Sequence, residues 1–275
     1  MGRFDDFIIC CDYDGTLTMN KGVKVTSALK QGVWNICEEN IAAVKYFAEN
    51  GGRFIMASGR SPARMSFLYD YLPLDDLFAG INGTILFSKS QNKVVYEHRM
   101  RLDFDSFVRD VFSAIPEIPE YHVVTTDMTV HLWTKDEGDP MEFLSNITPK
   151  SSLKVIFDSR DDLLLMEKIE GYVRANYSDR LEISKSCPHF LECNDKGSGK
   201  GDVVKLLKRE NPGKTVIALG DYGNDESMFI VADYAYCPDN ATPEIKTLAN
   251  KVFRESGDGF IADVVKEIEN NLCKK

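Results

Sequence analysis

The stretch Phe7-Ile8-Ile9-Cys10-Cys11-Asp12-Tyr13-Asp14-Gly15-Thr16 decides how the rest of the chain is read. Its first five residues form a short apolar run rich in β-branched and aromatic side chains, the composition of a strand buried on both faces. Two carboxylates follow, two residues apart, where the run gives way to Gly15. In extended backbone, residues i and i+2 face one side, so Asp12 and Asp14 are expected to look into one space. Like charges that close repel unless a cation or a shared proton relieves them. A divalent metal is the natural relief, because hard cations such as Mg2+ take oxygen ligands. Asp-Gly is also ordinary turn chemistry, so the pair alone admits the plain reading of a strand that ends in an acidic turn. The residues further along decide between the two.

Outward from this strand, residues 38–50 carry Ile41, Val44, Phe47 and Ala48 on one helical face, with Gly51-Gly52 as the stop. Arg53-Phe54-Ile55-Met56-Ala57 is a second strand, ending at Ser58-Gly59-Arg60. Ser61-Pro62 then opens a helix, with Ser as cap and Pro in the first turn. A third strand over 77–86 is interrupted at Asn82-Gly83. This β-loop-α-β-α-β order predicts a parallel sheet with helices on its faces. The pattern then changes. Ile85-Leu86-Phe87 and Val94-Val95-Tyr96 flank a polar turn, a hairpin signal. Helical segments at 104–114 and 161–177 alternate with short strands near 121–124, 129–134, 153–157, 181–183 and 190–193, which predicts an inserted α+β domain. From Lys200 the β/α order resumes. A helix stops at Asn211-Pro212-Gly213, and Thr215-Val216-Ile217-Ala218-Leu219 runs into Gly220-Asp221-Tyr222-Gly223-Asn224-Asp225.

A chain of 275 residues is long enough for two domains. Its 43% hydrophobic and 28% charged content is that of a globular protein. A formal net charge of −10 excludes the basic field that a nucleic-acid or anionic-membrane surface requires. An anionic substrate must therefore be met by a few local cations or a metal. No apolar run reaches membrane-spanning length, and the acid-bearing start Arg3-Phe4-Asp5-Asp6 is unlike a signal peptide. Seven cysteines without regular spacing fit a reduced, cytoplasmic chain. Cys187, Cys193 and His189 lack the second half of a zinc motif and are not expected to bind one.

Three more points fall on loops at the carboxyl ends of strands, where open α/β sheets bind ligands. Ser58 offers a hydroxyl ahead of a helix N-terminus suited to a phosphate. Lys200 opens a helix, where positive charge opposes the macrodipole, so the position asks for a reason such as a bound anion. Asp221 ends an apolar strand much as Asp12 does, so the two can share a metal across adjacent strands. Taken singly, each has an ordinary reading as turn, cap or solvated surface residue.

Together and in this order the residues resemble the four motifs of the haloacid dehalogenase superfamily. Asp12-x-Asp14-Gly15-Thr16 matches the first, Ser58 the second, Lys200 the third, and Gly220-Asp221-x-Gly223-Asn224-Asp225 the fourth. The long insert, Asn82-Gly83, Leu191-Glu192 and Gly259-Phe260-Ile261-Ala262 are similar to the Cof-type branch, subclass IIB. The resemblance implies a Rossmann-like core over 1–83 and 191–275, with helices on both faces of a parallel sheet, and an α+β cap over 84–190. It implies a Mg2+-dependent phosphatase of small phosphorylated metabolites, sugar phosphates first among them. Asp12 would be the nucleophile and Asp14 the general acid and base. Ser58, Gly59, Lys200 and Asn224 would bind the phosphoryl group. Asp12, the Asp14 carbonyl and Asp221 would hold the metal, with Asp225 as outer support. Asp14 marks a phosphotransfer member, since true dehalogenases lack that second Asp. A phosphomutase or phosphotransferase, and a non-catalytic regulatory relative, stay open as alternatives. The expected partner is the small substrate, with no nucleic acid and no membrane, in a monomer or small homo-oligomer. The segment 18–32 is longer than the branch usually shows and reads as a flap or a tolerated surface insertion. Within the cap, His122, His131, Trp133 and His189 are read as core or surface residues first and substrate contacts second.

Overall fold

The computed structural model describes residues 2–19 and 36–273. The chain divides into two compact units, Met1–Tyr96 with Lys200–Lys275, and Glu97–Gly199. The first opens with Phe7–Cys11 (β1), Glu38–Glu49 (α1), Arg53–Ala57 (β2), Pro62–Met65 (α2), Leu77–Gly80 (β3), Ile85–Ser88 (β4) and Lys93–Glu97 (β5). The second holds Phe104–Ala114 (α3), Glu120–Thr125 (β6), Val130–Thr134 (β7), Pro140–Asn146 (α4), Ser152–Asp158 (β8), Leu163–Tyr177 (α5), Leu181–Cys187 (β9) and Phe190–Asp195 (β10). The first then resumes with Lys200–Glu210 (α6), Thr215–Leu219 (β11), Glu226–Val231 (α7), Tyr234–Pro238 (β12), Pro243–Leu248 (α8), Lys251–Phe253 (β13) and Phe260–Glu267 (α9).

The larger unit is built on an eight-stranded sheet ordered β13-β12-β11-β1-β2-β3-β4-β5. From β13 to β3 neighbours run parallel, and β4 returns antiparallel to β3. Alternating side chains of β1 enter different cores, as the two-residue period of a strand requires. Phe7, Ile9 and Cys11 pack with Val44 and Phe47 of α1 and with Phe260, Ile261 and Val264 of α9. Ile8 and Cys10 pack with Val203 and Val204 of α6, Met228 of α7 and Ile245 of α8. Helices thus cover both faces, and every side chain of β1 is buried. That is why its sequence is continuously apolar instead of alternating.

The smaller unit is a five-stranded antiparallel sheet, β7-β6-β8-β10-β9. Phe104, Phe107, Val108 and Val111 of α3, Leu144 of α4, and Met166, Ile169 and Val173 of α5 pack against Tyr121, Val123, Val155, Phe157 and Leu191. Trp133 and Cys193 lie in this same core, which settles both as packing residues. Trp133 also stacks on Tyr121. Two readings differ from what is observed. Residues 84–96, read as the start of the insert, extend the larger sheet as β4 and β5. Residues from Leu191, read as core, pair with β8 and β9 in the smaller sheet until Asp195. Hairpin and strand signals in a sequence say that a strand forms, not which sheet edge it joins. The segment 18–32 lies outside the described residues except for Thr18 and Met19. Among the described residues no helix is long and apolar enough to cross a membrane.

Candidate active site

The ladder between β1 and β11 continues one residue past Cys11, because the Asp12 N–H donates to the Leu219 carbonyl at 2.9 Å. This sets Asp12 beside the end of β11, where Gly220 and Asp221 follow. The chain then turns sharply. Thr18 N–H and Oγ1 both donate to the Tyr13 carbonyl, at 3.0 and 2.9 Å, and Asn240 Nδ2 donates to the Gly15 carbonyl at 2.7 Å. The turn is thereby closed from its own side and from the loop after β12.

Lys200 is fully buried and bridges two acids. Its Nζ donates to Asp12 Oδ1 at 2.5 Å and to Asp225 Oδ1 at 2.6 Å. Two fixed carboxylates are the reason for a cation at the start of α6, where the sequence suggested a bound anion. Burial alone lowers the pKa of an ammonium group, but the Asp12 and Asp225 charges raise it more, so Lys200 stays protonated. Burial pushes the Asp12 carboxyl well up, with Lys200 pulling against it and Asp225 and Asp221 adding to the rise.

Asp225 is fully buried. Its other oxygen accepts the main-chain N–H groups of Asp221 at 2.9 Å and Tyr222 at 3.1 Å. That close approach needs Gly220, since a Cβ there would stand 2.4 Å from the Asp225 Cβ. Asp221 Oδ1 accepts from Thr16 Oγ1 at 2.8 Å. Burial first, then the Asp225 charge, lift the Asp221 carboxyl to about 7 against the pull of Thr16 and Lys200.

Carboxylate oxygens of Asp12, Asp221 and Asp225 lie within 4.8 Å of one another. When ionised, three buried acids against one ammonium leave surplus negative charge, and the donor set is all oxygen. Both features fit a hard divalent cation. Because both Asp225 oxygens are already taken by Lys200 and two N–H groups, Asp12 and Asp221 are the carboxylates able to bind it. Asp225 holds their frame.

Asp14 is close enough for its charge to act on Asp221, and its own carboxylate is held by a cation. Residues 13–17 form a turn rather than extended backbone, with Gly15 at φ 83°. The Asp14 carboxylate is taken in a two-pronged grip by Arg60, Nε to Oδ2 at 2.7 Å and Nη2 to Oδ1 at 2.6 Å. The guanidinium also lies 5.0 Å from the centre of the Tyr13 ring. Ser58 is buried at the end of β2, the strand beside β1, and its Oγ accepts the Arg60 N–H at 3.2 Å. Gly59 follows, half-buried. The helix expected after it is the single turn α2, too short to carry much macrodipole toward an anion. Asn224 is half-buried, and its Nδ2 donates to Asn82 Oδ1 at 3.3 Å.

Direct contact therefore unites Asp12, Lys200, Asp225, Asp221 and Thr16, while Asp14 is tied to Arg60 and Asn224 to Asn82. By sequence, Arg60 has a structural or substrate-side role, and none is assigned to Thr16 or Asn82. Their partners depend on side-chain direction, which no spacing signals. A second trio, Glu120, His122 and Asp158 in the smaller unit, is also close enough to share an ion. There, however, His122 Nε2 meets Glu120 Oε1 at 2.7 Å and the Arg160 N–H caps Asp158 at 2.6 Å, so the groups satisfy one another.

A family model of haloacid dehalogenase-like hydrolases matches residues 9–265. Phosphatase YwpJ of Bacillus subtilis strain 168 is 20% identical over 295 residues, covering 95% of this chain and 99% of its own. A haloacid dehalogenase-like hydrolase from B. subtilis shares the fold with a TM-score of 0.72 at 17% identity, over 95% of this chain and 99% of that one. The HAD subclass IIB sugar phosphatase BT4131 does so with a TM-score of 0.72 at 20% identity, over 95% and 98%.

Proposed function

This chain belongs to the haloacid dehalogenase-like hydrolase family and is a phosphoric monoester hydrolase; we propose that its substrates are small phosphorylated metabolites, sugar phosphates first, and that Asp12 is its nucleophile. The observation that supports this most is the buried Lys200 held between Asp12 and Asp225. It fixes one Asp12 oxygen and places a permanent positive charge beside it, where an attacked phosphoryl group gains negative charge. The Asp12 carboxylate attacks phosphorus, forming an aspartyl-phosphate as the bond to the leaving oxygen breaks. Asp14, released from Arg60 and protonated from solvent, gives its proton to the leaving oxygen. Asp14 then takes a proton from water as the water attacks the acyl phosphate, which returns Asp12 and releases phosphate. Ser58, Gly59 and Asn224 bind the phosphoryl oxygens with Lys200. Mg2+ is the cofactor of this reading, held by Asp12, Asp221 and the Asp14 carbonyl, and it supplies charge neutralisation between carboxylate and phosphate. Within the same reading the inserted unit serves as the cap domain.

The test is phosphate release from a broad panel of metabolite phosphates with Mg2+ present. Asp12→Asn is expected to lower turnover by on the order of a thousandfold or more. Retained turnover removes Asp12 from its role. Silence across the panel removes the small-metabolite reading, and an isomerised or transferred product without free phosphate replaces it with phosphotransfer.

A further inference from the structure

Beside the acids, the turn between β3 and β4 holds three consecutive residues in left-handed backbone. Ile81, Asn82 and Gly83 have φ of 51°, 59° and 95°. For Gly this is free and for Asn tolerable, but a β-branched residue at positive φ is a true outlier. Reversing the chain between antiparallel strands does not need it, since two-residue turns with Asn-Gly do so without strain. Strain of this kind persists where surrounding contacts over-determine it. Two main-chain bonds and one side-chain bond tie the turn to the site. The Ile81 N–H donates to the Arg60 carbonyl at 3.1 Å and the Asn82 N–H to the Ser58 carbonyl at 2.9 Å. Thr84 Oγ1 closes the turn on the Ile81 carbonyl at 2.6 Å. Asn82 is 3% exposed, and its Oδ1 accepts from Asn224 Nδ2. The turn also packs against α6, which begins at Lys200.

We propose that Asn82 is a positioning residue for the phosphoryl-binding side of the site. It acts through the side chain of Asn224 and the main chain of Ser58. The inference rests on the phosphatase reading above. An amide nitrogen carries two protons. With one given to Asn82, the direction of the other is fixed, so Asn224 is presented to an anion already oriented. The left-handed backbone serves to bring the Asn82 N–H and its side-chain oxygen to two different strands' ends at once.

Asn82→Gly separates the two contributions, because Gly keeps the backbone angle and the N–H to Ser58 while deleting the amide. Inorganic phosphate is the probe, as a competitive inhibitor of p-nitrophenyl phosphate hydrolysis. The inhibition constant and KM are expected to rise about tenfold, from loss of one ordered donor to a charged group, with kcat changed less than KM. Asn224→Ala is expected to match this, and the double variant to be no worse than Asn224→Ala alone, because the two act as one unit. Asn82→Asp, which retains volume and tolerance of positive φ, covers the case in which the Gly variant does not fold. Its added charge near a dianion is expected to weaken phosphate inhibition further. An unchanged inhibition constant in folded variants, or single effects that multiply in the double variant, overturns the proposal. A wild-type protein that neither binds phosphate nor hydrolyses the ester overturns the phosphatase reading instead, and this inference with it.

Discussion

Asp221 shows how burial sets the acid–base behaviour around Lys200. Its carboxyl is lifted from the ordinary 3.8 to about 7 by burial and then by Asp225. A carboxyl raised on folding binds its proton more tightly in the native state than in the unfolded chain. Stability from this group is therefore greatest below the unfolded pKa and falls as pH climbs from about 4 to about 7. Metal-free protein in chelator is expected to lose melting temperature across that window. Asp221→Asn is expected to flatten the slope, and added Mg2+ to offset the loss at the upper end. Calorimetry at a series of pH values checks all three; a slope unchanged in Asp221→Asn assigns it to other groups. At this scale the sequence was informative wherever an acid ends an apolar run, as Asp12 and Asp221 do. It was silent on the Thr16 bond to Asp221 and on the Arg60 grip, because turn geometry, not spacing, sends Asp14 toward β2.

The seating of Lys200 depends on how α6 meets α7. Gly201 N–H donates to Ser227 Oγ at 3.0 Å, and a Cβ at Gly201 would stand 2.3 Å from the Ser227 carbonyl oxygen. Neither helix can give way without moving Lys200 from its two acids. Gly201→Ala is expected to cost about 1–3 kcal/mol in urea unfolding, as overpacking does. It is also expected to lower kcat by more than the loss of folded protein explains. Full activity in the folded variant disconnects the helix contact from the site. Long elements with clear periodicity, α1 and α3, were legible from apolar spacing. The seven-residue α4 was not, because it buries only Leu144 and carries no stripe. The three-residue β13 has no fully buried side chain to announce it. Cys37 stands at the start of α1 without a side-chain cap bond, a weakening visible in the sequence because Ser is the better residue there.

Each of the two units has a core of its own, and that of Glu97–Gly199 draws on three helices and all five of its strands. An excised fragment of residues 97–199 is expected to fold cooperatively, with one thermal transition and dispersed amide signals. A molten fragment without near-ultraviolet circular dichroism contradicts this. The larger unit has no such independence along the chain. Its central strand, β1, is paired on one side with β2 but on the other with β11, which begins at Thr215. During synthesis at roughly 5–20 residues per second, that second edge waits about 10–40 seconds for its neighbour. A ribosome-bound chain therefore carries a bare, fully apolar strand edge through most of translation. This is the interval in which chaperones, or a second nascent copy, have access to the segment that later presents Asp12.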